Sequence, residues 1–311
     1  MEISDIELKF AQLDMKDNTQ KNYLRSFKLL IKEVYDGKRP ENKMFETDAF
    51  SVITFITKVK GDLAQKNILN GLIKCFKALE IDTSLYDKMF LSLSQKINST
   101  NAFSLPNEKE QEQRVEMKEL IRLRDEWKVK IANPAKVRKT SLTNKKSHMY
   151  YVILCLYSML PPLRGEDYFN SYLFIDSSKE NIENKNYLCL TKKQLILKTY
   201  KTEHQYGIRT IDVPDELNTI LTDFKNKYNF TYVMCTSKGE KCSSSNFGKL
   251  ITRALGRDPH ESSTGSQMLR KCYVAEKYGE GISNAEKSKL ATIMAHSIGT
   301  AHIVYNKFNI V

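Results

Sequence analysis

"HMYYVILCLYSMLPPLRGEDY", residues 148–168, decides how the second half of the chain is read. From His148 to Leu160 no Lys, Arg, Asp or Glu interrupts an apolar run. A helix that is apolar all round is buried on every face. The stretch 150–160 is about half the length a bilayer span needs, so it predicts the centre of a soluble domain rather than a membrane anchor. Pro161 and Pro162 end the helix, because proline lacks the N–H and clashes with the preceding turn. Arg164 follows, with Asp167 three residues on. Arg164 is then either a helix-end cap paired with Asp167 or one arm of a site.

C-terminal to this helix, "NYLCL" (186–190), "QLILKTY" (194–200) and "GIRTIDVP" (207–214) alternate with turns and predict a three-stranded antiparallel meander. Lys201 and Thr202 fall in the turn between its last two strands. Helices are expected at about 215–228, 243–255, 264–280, 284–295 and 299–308. Arg270 lies on one of them, in "SQMLRKCYV". The closing stretch "MAHSIGTAHIVYNKF" (294–308) places His296 and Tyr305 nine residues apart.

N-terminal to it, the basic segment 131–146 with Pro134 reads mostly as loop, and a charged helix over about 107–130 carries Trp127. The polar stretch 98–113, broken by Pro106, reads as an interdomain linker. Residues 1–105 read as helical. In 18–34, Tyr23, Phe27, Leu30, Ile31 and Val34 share an apolar face, while Lys21, Arg25, Lys28 and Lys32 form a separate basic stripe. Lys66, Lys74 and Lys77 repeat the device on a second helix. Such stripes are either solvated faces or a phosphate-facing surface. The expected organisation is a helical domain, 1–105, and a second domain, 106–311.

The 311 residues carry a net charge of +12, which favours a polyanionic partner, nucleic acid first. Residues 1–105 hold 16 Lys and Arg against 14 Asp and Glu, and the remainder holds 33 against 23, so the excess is mostly C-terminal. The N-terminus "MEISDIELKF" lacks an apolar signal core, which predicts an intracellular, non-secreted protein. The six cysteines are scattered, with no C-x-x-C pair, and read as reduced thiols without zinc. Glu166 and Asp167 are adjacent, and neighbours on a helix diverge, so they make a poor two-metal pair. Neither a metal nor another cofactor is implied.

"LPPLRGED", the hairpin "KTYKTEHQYG", "QMLRK" and "MAHS…Y" occur in an order that resembles the catalytic domain of the tyrosine recombinases, the phage-type integrases also found in large DNA viruses and mobile elements. The resemblance covers roughly 145–311; segment 1–105 is similar in kind to that family's core-binding domain but carries no diagnostic motif. It implies a mainly α protein with a small antiparallel β-sheet, built as a helical DNA-clamp domain plus an α+β catalytic domain. It also implies catalytic roles for Arg164, Arg270, Lys201, His296 and Tyr305, with Asp167 and Gln267 in support. The two arginines would hold the phosphate oxygens, because guanidinium donors have fixed geometry and a permanent charge. Tyr305 would attack phosphorus, Lys201 would protonate the leaving 5′-oxygen, and His296 would donate to an oxygen or help move the tyrosine proton. Asp167 would orient a cationic partner.

Two departures stand out. Gln267 occupies the position three before Arg270 where the family usually has His or Lys, and Ala295 replaces the usual glycine before the histidine. Gln267 cannot shuttle a proton, which predicts a slower enzyme or heavier reliance on His296. The implied function is metal-independent site-specific cutting and rejoining of double-stranded DNA through a 3′-phosphotyrosine, by four protomers on two sites. The alternatives are a type IB topoisomerase-like nicking-closing enzyme and a catalytically weakened DNA-binding relative. Of the other histidines, His302 reads as a surface or packing residue, and His204, in the turn beside Lys201, as a candidate phosphate contact.

Overall fold

The computed structural model describes residues 3–13, 15, 17–102, 105–133, 141–178, 180–261, 264–301 and 308. The chain is mainly α with one small sheet, and it divides into two compact units, Met1–Phe103 and Ser104–Val311.

The first unit is built from α1 (Ile3–Gln12), α2 (Asp17–Val34), α3 (Asn42–Thr47), α4 (Ala49–Lys58), α5 (Asp62–Ala78) and α6 (Ser84–Ala102). The apolar stripe of α2 points inward, with Phe27 and Leu30 fully buried. Phe27, Phe45, Phe76 and Tyr86 stack edge-on or tilted, with ring centroids 5.1–6.3 Å apart. The Tyr86 hydroxyl donates to the Phe45 carbonyl at 2.7 Å, so this buried phenol keeps a partner. Helices α2 and α5 cross where both side chains are small: a Cβ on Gly71 would lie 2.6 Å from Ser26 Oγ.

The second unit begins with α7 (Glu108–Glu112) and α8 (Met117–Ala132). It continues through α9 (Ser141–Met159), α10 (Gly165–Phe169), β1 (Tyr172–Phe174), β2 (Tyr187–Cys189), β3 (Gln194–Leu197), α11 (Glu203–Tyr206) and β4 (Arg209–Asp212). It ends with α12 (Asp215–Tyr228), α13 (Ser244–Ala254), α14 (Ser266–Gly279), α15 (Asn284–Ile293) and α16 (Ile298–Thr300). The apolar helix of the opening stretch is α9, packed against α8, α12 and α13. Every residue from Val152 to Tyr157 is wholly buried. At about 1.5–3 kcal/mol for each large side chain removed from water, this helix anchors the core. It starts earlier than the sequence suggests, at Ser141, where Lys145 lies over the rings of Tyr228 and Phe230. Residues 134–140 lie outside the described set.

The polar stretch 98–113 is helical over much of its length, holding the end of α6 and the whole of α7. Glu110 of α7 pairs with Lys271 of α14 in a partly buried bridge, and Arg257 donates to the carbonyls of Glu112 and Arg114, both at 3.1 Å.

The sheet has order β1-β2-β3-β4. Strands β2, β3 and β4 form the expected antiparallel meander. Strand β1 joins β2 in parallel, with Tyr172 opposite Tyr187, a pairing outside the expected meander that local alternation does not signal. The hairpin turn carries a helical turn, α11, after Lys201-Thr202.

Between α9 and β1 the chain must seat Arg164. Gly165 makes this possible: its N–H donates to Ser266 Oγ at 3.2 Å, and a Cβ there would lie 2.7 Å from Phe247 Cδ1 of α13. Gly165→Ala should therefore destabilise the second unit by about 1–3 kcal/mol in urea unfolding, and a paired Phe247→Leu should recover part of the loss.

Candidate active site

The Pro161-Pro162 break turns the chain out of α9, and the next turn is closed by Asp167. Its Oδ2 accepts the Arg164 backbone N–H at 3.1 Å, while its own N–H donates to the Arg164 carbonyl at 3.0 Å. The carboxylate thus orients the arginine through its backbone. The Arg164 side chain reaches across to donate from Nη2 to the Ala295 carbonyl at 3.1 Å.

Arg270, on α14, has no exposed surface. It donates from Nη1 to the Pro162 carbonyl at 2.7 Å and from Nη2 to the Met294 carbonyl at 2.8 Å. It therefore ties the loop after α9 to the end of α15.

That end is a helix stop of defined form. Ala295 N–H donates to Thr292 and His296 N–H to Ala291, both at 3.1 Å, with Ala295 at φ +51°. This is the Schellman arrangement, whose left-handed position favours glycine. The departure at Ala295 thus falls on the residue for which the backbone most prefers glycine. Its methyl group is buried in the core of the unit, which accounts for a side chain being kept there. The turn aims the carbonyls of Met294 and Ala295 at the two arginines and sets His296 beside them.

His296 is buried, and its Nδ1 lies 3.1 Å from the Ser297 carbonyl. A carbonyl can only accept, so Nδ1 carries the proton and Nε2 is the accepting nitrogen. Burial depresses the imidazole pKa to about 4, with the charges of Arg270, Arg164 and Arg209 acting in the same direction and the Ser297 hydrogen bond opposing them. His296 is therefore neutral at pH 7. Burial pushes the Asp167 carboxyl up, against the pull of Arg164, Arg209 and Arg270.

Arg209 is the residue that sequence reasoning missed. It is buried at the start of β4, its guanidinium 5.2 Å from the ring centroid of Tyr200, and burial lowers its pKa. A signal was present: in "RTIDV" the alternation puts Arg209 on the same inward face as Ile211, a position where an apolar residue is expected.

The hairpin reaches the same turn, since Thr202 Oγ1 lies 3.5 Å from the Ala295 carbonyl. Lys201 is exposed next to it, and Gln267 is exposed near the start of α14. The structure thus brings Arg164, Asp167, Arg270 and His296 together, with the Lys201 hairpin alongside. Tyr305 and His302 lie outside the described residues. His148 is buried among Tyr151, Phe224 and Tyr228, and burial drives its pKa to about 4. His204 and His260 are exposed.

In the first unit Lys21, Arg25, Lys28 and Lys32 are all exposed along α2. Lys74 and Lys77 are exposed on α5, but Lys77 pairs with Asp87 at 3.0 Å and Lys66 lies over Phe90 at 5.2 Å. Among the described residues no group of three or more His, Cys, Asp and Glu could hold a metal ion, and no helix is long and apolar enough to cross a membrane. All six cysteines are buried as free thiols.

No protein-family model matches the chain, and no curated protein does. Among solved structures it is similar to the crystal structure of XerA recombinase, at 13% sequence identity and a TM-score of 0.41, over 98% of this chain and 92% of that one. Values this low leave the chemistry to be argued from the side chains.

The two depressed imidazoles give a pH signature. Below an ordinary histidine pKa of 6.5 the unfolded chain binds protons that the folded state refuses, so stability falls as pH drops from 6.5 towards about 4. NMR titration should find His148 and His296 neutral at about pH 5.5. Thermal unfolding should show the melting temperature falling across that window, less steeply in His148→Phe.

Proposed function

We propose that the protein cuts and rejoins DNA strands by transferring a phosphodiester to Tyr305, in the manner of a site-specific tyrosine recombinase. The observation that carries this reading is the meeting of residues far apart in the chain. Arg164 reaches the Ala295 carbonyl, 131 residues away, and Arg270 binds both the Pro162 carbonyl, 108 residues away, and the Met294 carbonyl, so that both guanidiniums meet the turn that carries His296. Permanent cations gathered at a neutral, proton-accepting imidazole suit a phosphoryl centre whose negative charge grows in the transition state.

The steps follow from the groups. Tyr305 Oη attacks phosphorus, and His296 Nε2 takes its proton. Arg164 and Arg270 bind the non-bridging oxygens. Lys201, on the exposed hairpin, gives a proton to the departing 5′-oxygen. The product is a 3′-phosphotyrosine that keeps the energy of the broken bond, so a 5′-hydroxyl can reverse the step. Gln267 cannot act as a base, so proton removal rests on His296, whose depressed pKa of about 4 makes it a weak one and the reaction correspondingly slow. The partner is double-stranded DNA, gripped also by the stripe Lys21, Arg25, Lys28 and Lys32, with four protomers joining two sites.

Covalent trapping tests the chemistry. The wild-type protein, incubated in EDTA with nicked duplex fragments of its own genome and denatured in SDS, should yield a DNA-shifted band that Tyr305→Phe lacks. An adduct surviving in Tyr305→Phe would move the nucleophile elsewhere. Sequencing the trapped DNA separates a recombinase, which selects sites, from a nicking-closing enzyme. For the stripe, replacing the four cations with Gln should flatten the dependence of log K on log salt by roughly one unit per lost phosphate contact. An unchanged slope would return the stripe to a solvated face.

A further inference from the structure

Arg209 has no role in the mechanism above. It is 8% exposed, and neither Nη1 nor Nη2 has a hydrogen-bond partner. Asp167 Oδ1 is also without one, so the two residues do not close a direct hydrogen bond. What holds Arg209 is the Tyr200 ring, which is itself locked by a 2.7 Å hydrogen bond from its hydroxyl to the Gly207 carbonyl. A fold needing only to fill this space would use an apolar side chain, since a buried cation with unmatched donors is costly. The aromatic platform leaves the terminal nitrogens of the fork for another acceptor. The hairpin places that acceptor at the active site: Tyr200 begins the turn whose Thr202 reaches the Ala295 carbonyl bound by Arg164, and the Arg209 charge is felt by Asp167 and His296.

We propose that Arg209 is a third oxyanion-binding arginine of this site, donating through Nη1 and Nη2 to a non-bridging oxygen of the bound phosphodiester. The proposal rests on the phosphoryl-transfer reading and deepens it. A phosphodiester attacked by a phenolate passes through a five-coordinate species carrying two negative charges, and the Arg209 guanidinium adds a permanent positive charge beside it.

The test compares wild type with Arg209→Met and Arg209→Lys, first for binding of inorganic phosphate by calorimetry at constant ionic strength, then for the rate of adduct formation. Arg209→Met should weaken phosphate binding about tenfold or more and slow the adduct about a hundredfold or more. Its melting temperature should stay within about 3 °C of wild type or rise, because an unmatched buried charge is gone. A methylphosphonate at the scissile position, which lacks the negative charge, should bring Arg209→Met back to within a few-fold of wild type. Arg209→Lys should fall between the two. Equal slowing on both substrates, or a rate and phosphate affinity equal to wild type, would overturn the proposal. If Arg209→Met does not fold, the same comparisons on Arg209→Lys decide. Phosphate binding that depends on Arg209, in a protein forming no adduct on any DNA, would keep the third arginine and reject strand transfer.

Discussion

The second unit is organised around the buried guanidinium of Arg270. Its two short hydrogen bonds join the Pro162 carbonyl, where the core helix α9 breaks, to the Met294 carbonyl, where α15 ends. Burying a cation is tolerated only where its donors are matched, and two carbonyls from separate segments do part of that. The geometry of the site follows. With Pro162 held, Arg164 can reach Ala295, and with the α15 turn held, His296 is delivered beside both arginines.

The turn at Ala295 shows how backbone chemistry serves this arrangement. A Schellman stop frees two successive carbonyls from helix pairing, and the structure spends them on Arg270 and Arg164. A non-glycine residue at φ +51° carries some strain. That strain persists because the surrounding contacts, with Thr202 also drawn to the Ala295 carbonyl, over-determine the turn. The neutral imidazole has the same origin. Burial among three arginines disfavours a fourth positive charge, so His296 is made an acceptor by its neighbours rather than by its own chemistry.

The first unit is held by a different device, an aromatic cluster of Phe27, Phe45, Phe76 and Tyr86 with a tight α2–α5 crossing at Gly71 and Ser26. Its lysines are not equivalent. Those of α2 are exposed, Lys32 pairing with its own neighbour Glu33 at 3.7 Å, whereas Lys66 and Lys77 on α5 are engaged by α6 through Phe90 and Asp87. A stripe of like residues in a sequence thus divides, once folded, into cations available to a partner and cations used within the unit.

Local physics was legible from the residues alone. The 3.6-residue period gave α2 its inward Phe27 and Leu30, uninterrupted apolarity marked α9 as buried, the double proline marked its end, and alternation marked β2, β3 and β4. The sequence also singled out Arg164, Arg270 and His296, which the fold brings to one turn. Other features depended on contacts between distant segments. The parallel seat of β1 beside β2, the use of Asp167 as a backbone clamp, the proton on His296 Nδ1 and the burial of Arg209 against Tyr200 each require a partner that spacing cannot name. Sequence alone determined which elements form, because propensity and periodicity act over a few residues. Only the tertiary structure decided which buried charges face one another, because desolvation and Coulomb terms depend on distances that chain order does not contain.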